Sequence, residues 1–435
     1  MKRRKRDRKR IHSRRIVSVD RISELPEALI LEILSLLPTK VAVATSVLSK
    51  QWKSLWKMLP KLEFHSYDHK SGPGAFSKNV SKALLSHKAP VLQSLHLKIY
   101  LLGWCTTSDT ETLIGVVLAR KLRKLVLQVL WEPIRISNGL YNCETLETLE
   151  LKYHVLLDVP SSVCLKSLTT LHLHYVNFKD NDSLLNLLSG CPNLENLDVR
   201  QNSVSSTKPF TIAVPSLQRL TIYASGRVDT DAGYVINAPC LKFLKIEGTD
   251  QVFGYFLIEN VPELEEAMIS VSSHLVNDNL LGSLTSVKRL NLESSPSQIK
   301  FPTGSIFYQL VYLELLTHNE ECWNLLTLML DGSPNLQVLK IFSHRYWNND
   351  AVGKWNQPEN VPECLLFHLE TFFWKGYDWR QEALFEVVRY ILSNTNCLKI
   401  ATFSSKQLRS EERVEMVKDL NSVARASNSC QLLVE

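Results

Sequence analysis

From Leu92 onward, apolar residues recur in one short pattern, Leu-x-x-Leu-x-Leu or a close apolar variant. Copies begin at Leu92, Leu122, Leu146, Leu168, Leu194, Leu217, Leu241, Leu264, Val287, Leu310 and Leu336. From Leu122 the starts keep within the period of leucine-rich repeats, about 20–29 residues. Alternate residues of a strand share a face, and a strand with its return loop cannot bury that face alone. Successive copies must therefore stack into a solenoid with one continuous core. Turn residues precede many copies, as in Cys191-Pro192-Asn193, Val214-Pro215-Ser216, Ala238-Pro239-Cys240 and Ser333-Pro334-Asn335. Proline there sets the backbone ahead of the strand without removing a donor inside it. The expectation over 91–346 is a parallel sheet forming the inner wall of an arc, with irregular or helical returns outside. Asp180 to Leu188 reads as one such helix.

A helical periodicity governs residues 20–60. Pro26 suits the first turn of a helix. Leu25, Leu29, Ile30, Ile33, Leu34 and Leu37 follow at three- and four-residue steps before Pro38 stops it. Thr39 can cap a second helix through Val41, Val43 and Val47, and Ser49 a third carrying Trp52, Leu55 and Trp56. A bundle of about 40 residues buries too little surface to be stable alone, so its surplus apolar side chains call for a protein partner. Residues 61–90 read as a linker to the first repeat.

After Leu336 the period breaks. A strand-like Leu369 to Trp374 arrives late, beyond a polar insertion from Trp347 to Asn356. A helix follows with Ala383, Leu384, Val387, Val388, Ile391 and Leu392 on its apolar face. A strand from Leu398 to Phe403 and a charged helix from Glu411 to about Ala424 complete it. This α+β segment, 358–430, is the atypical terminal cap that a solenoid needs. The whole reads as an α/β chain: a three-helix bundle, a horseshoe of leucine-rich repeats, and an α+β capping segment.

Two stretches resemble known families. Asp20-Arg21-Ile22-Ser23, Leu25-Pro26, Ile33-Leu34, Leu37-Pro38-Thr39-Lys40, Thr45-Ser46-Val47-Leu48-Ser49-Lys50, Trp52 and Leu55-Trp56 resemble an F-box of the plant type. Gln51 stands where its members more often carry Arg. Val361-Pro362-Glu363-Cys364-Leu365, Gly376-Tyr377, Glu382, Tyr390-Ile391-Leu392, Asn394, Cys397-Leu398 and Lys399 resemble the FBD domain that ends many plant F-box/leucine-rich-repeat proteins. The resemblance implies docking on a Skp-type adaptor, and through it on a cullin and a RING subunit. The candidate adaptor contacts are Leu25, Pro26, Leu29, Ile33, Leu34, Leu37, Pro38, Leu48 and Trp52. It further implies a substrate-recognition subunit of a ubiquitin ligase, which works by proximity and needs no nucleophile of its own. Two other roles remain open: a module that holds the adaptor without substrate turnover, and a nucleic-acid-associated protein using a basic tail.

Charge changes the picture at one end only. Residues 1–15 hold ten Lys or Arg and one Asp, a local +9, so the rest of the chain sums to 6 − 9 = −3. The expectation is a disordered tail over 1–19 that could serve nuclear import, placing the protein in nucleus, cytoplasm or both. The slightly acidic body argues against specific nucleic-acid reading. The nine cysteines include no C-x-x-C pair, which suits reduced thiols. No apolar run reaches a membrane span, so we expect a soluble protein without membrane contact.

Enzymatic motifs are absent: the chain has no Gly-x-Gly-x-x-Gly, P-loop, His-Glu-x-x-His or Gly-x-Ser-x-Gly. No catalytic residue, cofactor or metal is expected. His172-x-His174 alone has metal-like spacing, and with no Cys or carboxylate cluster beside it in sequence it reads as a solvent-facing strand pair. If the repeat leucines face the core, the residues between and flanking them face the concave side. Those positions give Asn196, Asp198, Arg200, Arg219, Tyr223, Phe243, Lys245, Arg289 and Tyr312 as candidate contacts for an unidentified substrate protein. Arg, Tyr and Phe among mixed charges are what protein-binding surfaces use.

Overall fold

The computed structural model describes residues 25–435 except 50–51, 69–74, 101–106, 119, 181, 203–208, 226–232, 250–254, 272–279, 294–300, 302–303, 318–321, 344–354 and 406–409. The basic tail, Asp20 to Ser23 and most of the polar insertion fall outside the described residues.

Pro26 and Pro38 immediately precede the first two helices, α1 (Glu27–Ser35) and α2 (Thr39–Ala44). In the short α3 (Trp52–Leu55), the Trp52 N–H donates to the Ser49 hydroxyl at 3.4 Å. Ile30, Leu34, Ala42, Trp52, Leu55 and Leu59 fill the space between the helices. This core continues without a break into Leu62, Phe64 and Phe76.

Residues 61–90, expected as a linker, instead form the first turn of the solenoid. They contain β1 (Lys61–His65) and α4 (Ala75–Ser86), and β1 pairs in parallel with β2 (Ser94–Ile99), Leu62 opposite Leu95. Leu59-Pro60-Lys61-Leu62-Glu63-Phe64 is itself a copy of the repeat pattern, disguised by Pro60 and by Phe64 in the last apolar place.

Next come α5 (Thr107–Leu118), β3 (Lys124–Arg135), β4 (Thr148–Leu157), β5 (Thr170–His174), the short β6 (Asn177–Phe178) and α6 (Asp182–Ser189). The Asp180 carboxylate accepts from the Ser183 N–H at 2.8 Å and so caps α6. Further along are β7 (Asn196–Gln201), β8 (Phe210–Ala213), β9 (Arg219–Ser225), β10 (Gly233–Asn237), β11 (Phe243–Thr249) and β12 (Tyr255–Asn260). The series closes with β13 (Glu266–Val271), β14 (Arg289–Glu293), β15 (Tyr312–Thr317), α7 (Cys322–Asp331) and β16 (Val338–Ser343).

One parallel sheet runs in the order β1-β2-β3-β4-β5-β7-β9-β11-β13-β14-β15-β16, with β6 beside β4, and continues through three more strands. Its last three strands are β17 (Thr371–Lys375), β18 (Ile400–Ser404) and β19 (Gln431–Val434), carried by α8 (Glu363–Phe367), α9 (Glu382–Asn394) and α10 (Ser410–Ser422). The repeat leucines stay in register from strand to strand, Leu149 opposite Leu171, then Leu197, Leu220 and Leu244. All five are buried.

In five of the copies the residue before the first leucine ties one turn to the one before. Thr145 donates to Leu122 O, Ser167 to Glu144 O, Asn193 to Lys166 O, Ser216 to Leu194 O and Asn335 to Tyr308 O, at 2.6–2.9 Å. Short polar side chains recur there because a stacked turn presents a carbonyl that needs a donor.

The returns depart from expectation in one region. β8, β10 and β12 form a second parallel sheet, order β12-β10-β8, where irregular or helical segments were expected. Their sequences, Phe210-Thr-Ile, Tyr234-Val-Ile and Phe256-Leu-Ile, are rich in residues that favour strands, and the first and third residue of each is buried. Phe210, Tyr234 and Phe256 stack at 5.9 and 5.5 Å between ring centres. In the terminal cap Phe372, Trp374, Tyr377 and Phe403 are fully buried together, ring centres 5.1–6.1 Å apart. The polar insertion ends in an anchor: Trp355 is buried and its indole N–H donates to Thr327 Oγ1 at 3.0 Å. Among the described residues no helix is long and apolar enough to cross a membrane.

Candidate docking surfaces

α1 is apolar on nearly every side, Glu-Ala-Leu-Ile-Leu-Glu-Ile-Leu-Ser, the composition of a helix covered all round. Among the described residues, the rest of the chain covers only one side. Ile30 and Leu34 are wholly buried, while Leu29, Ile33 and Leu37 face out, and Leu36 is 81% exposed. Val41, Val47 at 85% and Leu48 at 64% continue this apolar face around α2 and the turn after it. Pro26 and Pro38 lie exposed at the helix starts, and Leu25 packs partly against the core.

Two expected adaptor contacts are therefore corrected. Leu34, with no exposed area, and Trp52, at 4%, are core residues and cannot touch a partner directly. The helical period placed Leu34 with Leu37, but the bundle is so small that adjoining positions on one apolar helix divide between core and surface. Leu36, Val41 and Val47, exposed on the same side, were not among the expected contacts. The signal was present in Leu36-Leu37-Pro38, since two leucines before a helix-stopping proline cannot both turn inward.

The second surface is the open face of the main sheet. The alternation places Asn196, Asp198 and Arg200 on it beside Arg219, Thr221 and Tyr223, with Phe243 and Lys245 next in register. Arg289 and Tyr312 stand opposite one another further along. All nine expected side chains lie on this face, which a leucine-rich horseshoe turns inward.

Neighbours on this face satisfy one another. Arg219 lies over the Phe243 ring at 4.1 Å and Arg289 over the Tyr312 ring at 4.0 Å. Lys245 pairs with Glu247 at 2.7 Å, and the Tyr312 hydroxyl donates to Glu314 at 2.7 Å. Arg200 forks onto Asp198, Nη2 to Oδ2 at 3.0 Å and Nε to Oδ1 at 3.1 Å. Burial pushes the Asp198 carboxyl up, but His172, His174 and Arg200 around it outweigh burial and hold it well below the usual range.

At the upper rim the sequence reading missed Tyr153 and Tyr175. Both adopt left-handed backbone, φ 65° and 59°, uncommon for residues of this bulk. Their rings stack at 5.8 Å, and Tyr175 meets Tyr223 edge-on at 6.5 Å. Strand alternation pointed to Tyr223 but gave no means of predicting the turn at Tyr153 and Tyr175 that brings all three rings together.

The thiols fit a structural role. Burial pushes Cys191 and Cys364 up to about 12, which keeps them protonated and unreactive. Cys143, Cys164, Cys240, Cys397 and Cys430 are also free.

A helical bundle with a bare apolar face, sharing its core with a leucine-rich horseshoe and closed by an α+β cap, defines a repeat protein with an N-terminal docking module. Family models agree with each part. An F-box domain matches residues 22–64, the repeats of an FBD-associated F-box protein match 110–265, and FBD matches 357–403. An F-box/FBD/LRR-repeat protein of Arabidopsis thaliana is 66% identical over 437 residues, covering 100% of both chains. An FBD-associated F-box protein of the same plant is 54% identical, covering 95% of this chain and 97% of its own. Another F-box/FBD/LRR-repeat protein is 53% identical, covering 95% and 96%. The chain belongs to the F-box/FBD/LRR-repeat family.

Proposed function

We propose that this chain is the substrate-recognition subunit of a Skp-cullin-F-box ubiquitin ligase. Its F-box holds a Skp-type adaptor, and the open face of the repeat sheet holds a target protein for ubiquitylation. The observation that carries the reading is the apolar surface of Leu29, Ile33, Leu36, Leu37, Val41, Val47 and Leu48, left bare by the chain that folds around its other side. Such a surface, contiguous and helical, fits the groove of another helical protein. The chain's part in transfer is proximity, with the chemistry in other subunits.

The test is adaptor binding by purified full-length protein. Val47→Asp/Leu48→Asp should weaken it by thirtyfold or more, the scale of losing about 2 kcal/mol at an interface centre, with the circular dichroism spectrum unchanged. Leu34→Ala should instead lower stability by about 2–5 kcal/mol and leave the affinity of the folded fraction intact. Equal adaptor binding by the Val47/Leu48 variant and wild type would overturn the docking surface. For the second face, charge reversal at Arg219, Lys245 and Arg289 should abolish target ubiquitylation while adaptor binding persists. A reporter fused to residues 1–15 tests nuclear import; even distribution between compartments would reduce the tail to a solvated one.

A further inference from the structure

The sequence sets His172-x-His174 aside because no carboxylate stands near it along the chain. The fold supplies one. β5 pairs with β7 so that His172 lies opposite Asp198 and His174 opposite Arg200. Asp198, one full repeat further along the chain, is thereby brought between the two imidazoles. Its Oδ2 is 3.7 Å from His172 Nδ1 and 3.2 Å from His174 Nε2. The three donor atoms all lie within 4.8 Å of one another.

These spacings match a metal site better than a hydrogen-bonded triad. Metal–ligand bonds of about 2.0–2.2 Å in a tetrahedron put neighbouring donors about 3.4 Å apart, between the two distances observed. His172 is too far from Asp198 to hydrogen-bond. His174 Nε2 is buried and lies off the line a hydrogen bond needs, so it has no aligned partner. The imidazoles stand at 87° to each other, which lets nitrogens from alternate residues of one strand converge.

We propose that His172, His174 and Asp198 bind a divalent late transition metal of the Zn2+ type, through Nδ1, Nε2 and Oδ2. Two imidazoles and one carboxylate suit that class and not Ca2+ or Mg2+, which take oxygen donors. Arg200 forks onto the carboxylate, Nε to Oδ1 at 3.1 Å and Nη2 to Oδ2 at 3.0 Å, and orients it from outside as supporting groups do in metal sites, so Oδ2 would turn its remaining lone pair to the metal. Glu150, opposite His172 in the ladder, adds negative charge on the far side and is itself held by Lys152 at 2.6 Å. Three protein ligands leave a fourth position open toward the face of the sheet.

The test uses metal-free, full-length protein titrated with Zn2+ by calorimetry and with Co2+ by visible absorption. Wild type should take up one equivalent that His172→Asn/His174→Asn lacks, with tetrahedral Co2+ bands lost in the same variant. Asp198→Asn should weaken binding at least ~100-fold, beyond the roughly 10–100-fold that supporting groups supply. His96→Gln, on the same face at β2 but outside the cluster, should leave the uptake unchanged. Equal Zn2+ uptake by wild type and the double histidine variant would overturn the site, as would full affinity in Asp198→Asn. The measurement needs neither adaptor nor target, so its outcome is independent of the ligase reading.

Discussion

Glu63 shows how much of this molecule's electrostatics belongs to single ladder positions. Burial raises its pKa, yet the Lys98 ammonium at 2.7 Å and His65 at 2.8 Å pull it from 4.5 down to about 2. A carboxylate whose folded pKa is depressed stabilises the fold above its unfolded value and loses that contribution as pH falls through the folded one. Wild type should therefore shed stability between about pH 4.5 and pH 2. Glu63→Gln should be less stable at neutral pH and show a flatter acid limb in denaturant titrations across that window. Identical acid limbs would show that the pair contributes nothing. Residue-scale features of this kind were half legible in sequence. Alternation assigned Asp198 and Arg219 their faces, while Glu63 fell in a stretch expected to be a linker, and which side chains would meet depended on register between strands a full repeat apart. Asp198 beside His172 is the clearest instance: nothing in the local sequence joins them.

At the scale of elements, the leucine pattern was legible because it is redundant, while the returns were not. β8, β10 and β12 are single short apolar segments without the fixed leading leucine, so each alone is ambiguous between strand and loop. Stacking decides it, and Tyr234 is the keystone. Its ring lies between Phe210 and Phe256, and its hydroxyl donates to the buried Gln201 Oε1 at 2.8 Å. Tyr234→Phe strands that acceptor and should cost about 1–3 kcal/mol. Tyr234→Ala also empties the stack and should cost about 3–5 kcal/mol. Urea melts of the two variants check the order, which would be reversed or flat if the second sheet were only loosely attached. α1 gives the complementary lesson. Its period was read correctly, yet Leu34 fell inside and Leu36 outside, because surplus apolar surface leaves the helix's rotation unspecified until its neighbours are placed.

At the scale of the molecule, the core runs from Ile30 to Cys430 without interruption. An open parallel sheet needs both ends closed. The C-terminal segment, of which the FBD match is the first part, covers the edge of β16 with three more strands and buries Trp374 against Trp323 at 5.7 Å. A chain truncated after residue 357 should thus expose the edge of β16 and the aromatic cluster, and run as aggregate in size-exclusion chromatography with light scattering. A monodisperse, folded truncation would mean that the cap is dispensable.

The near end is closed differently. The Thr39 hydroxyl accepts the Glu63 N–H at 2.7 Å, Lys57 O takes the N–H groups of Lys88 and Ala89, and His87 Nε2 lies 2.8 Å from Leu59 O. The module with the exposed apolar side is thus also the lid on the first strand. Anyone grafting a foreign N-terminal module onto this repeat array, or building chimaeras among its relatives, should not cut at the apparent boundary near residue 60. A junction there severs Thr39 from Glu63 and strips Leu62 and Phe64 of their cover. Grafts that carry residues 25–99 together keep that seam intact, so the natural unit of exchange is the F-box with its first two strands.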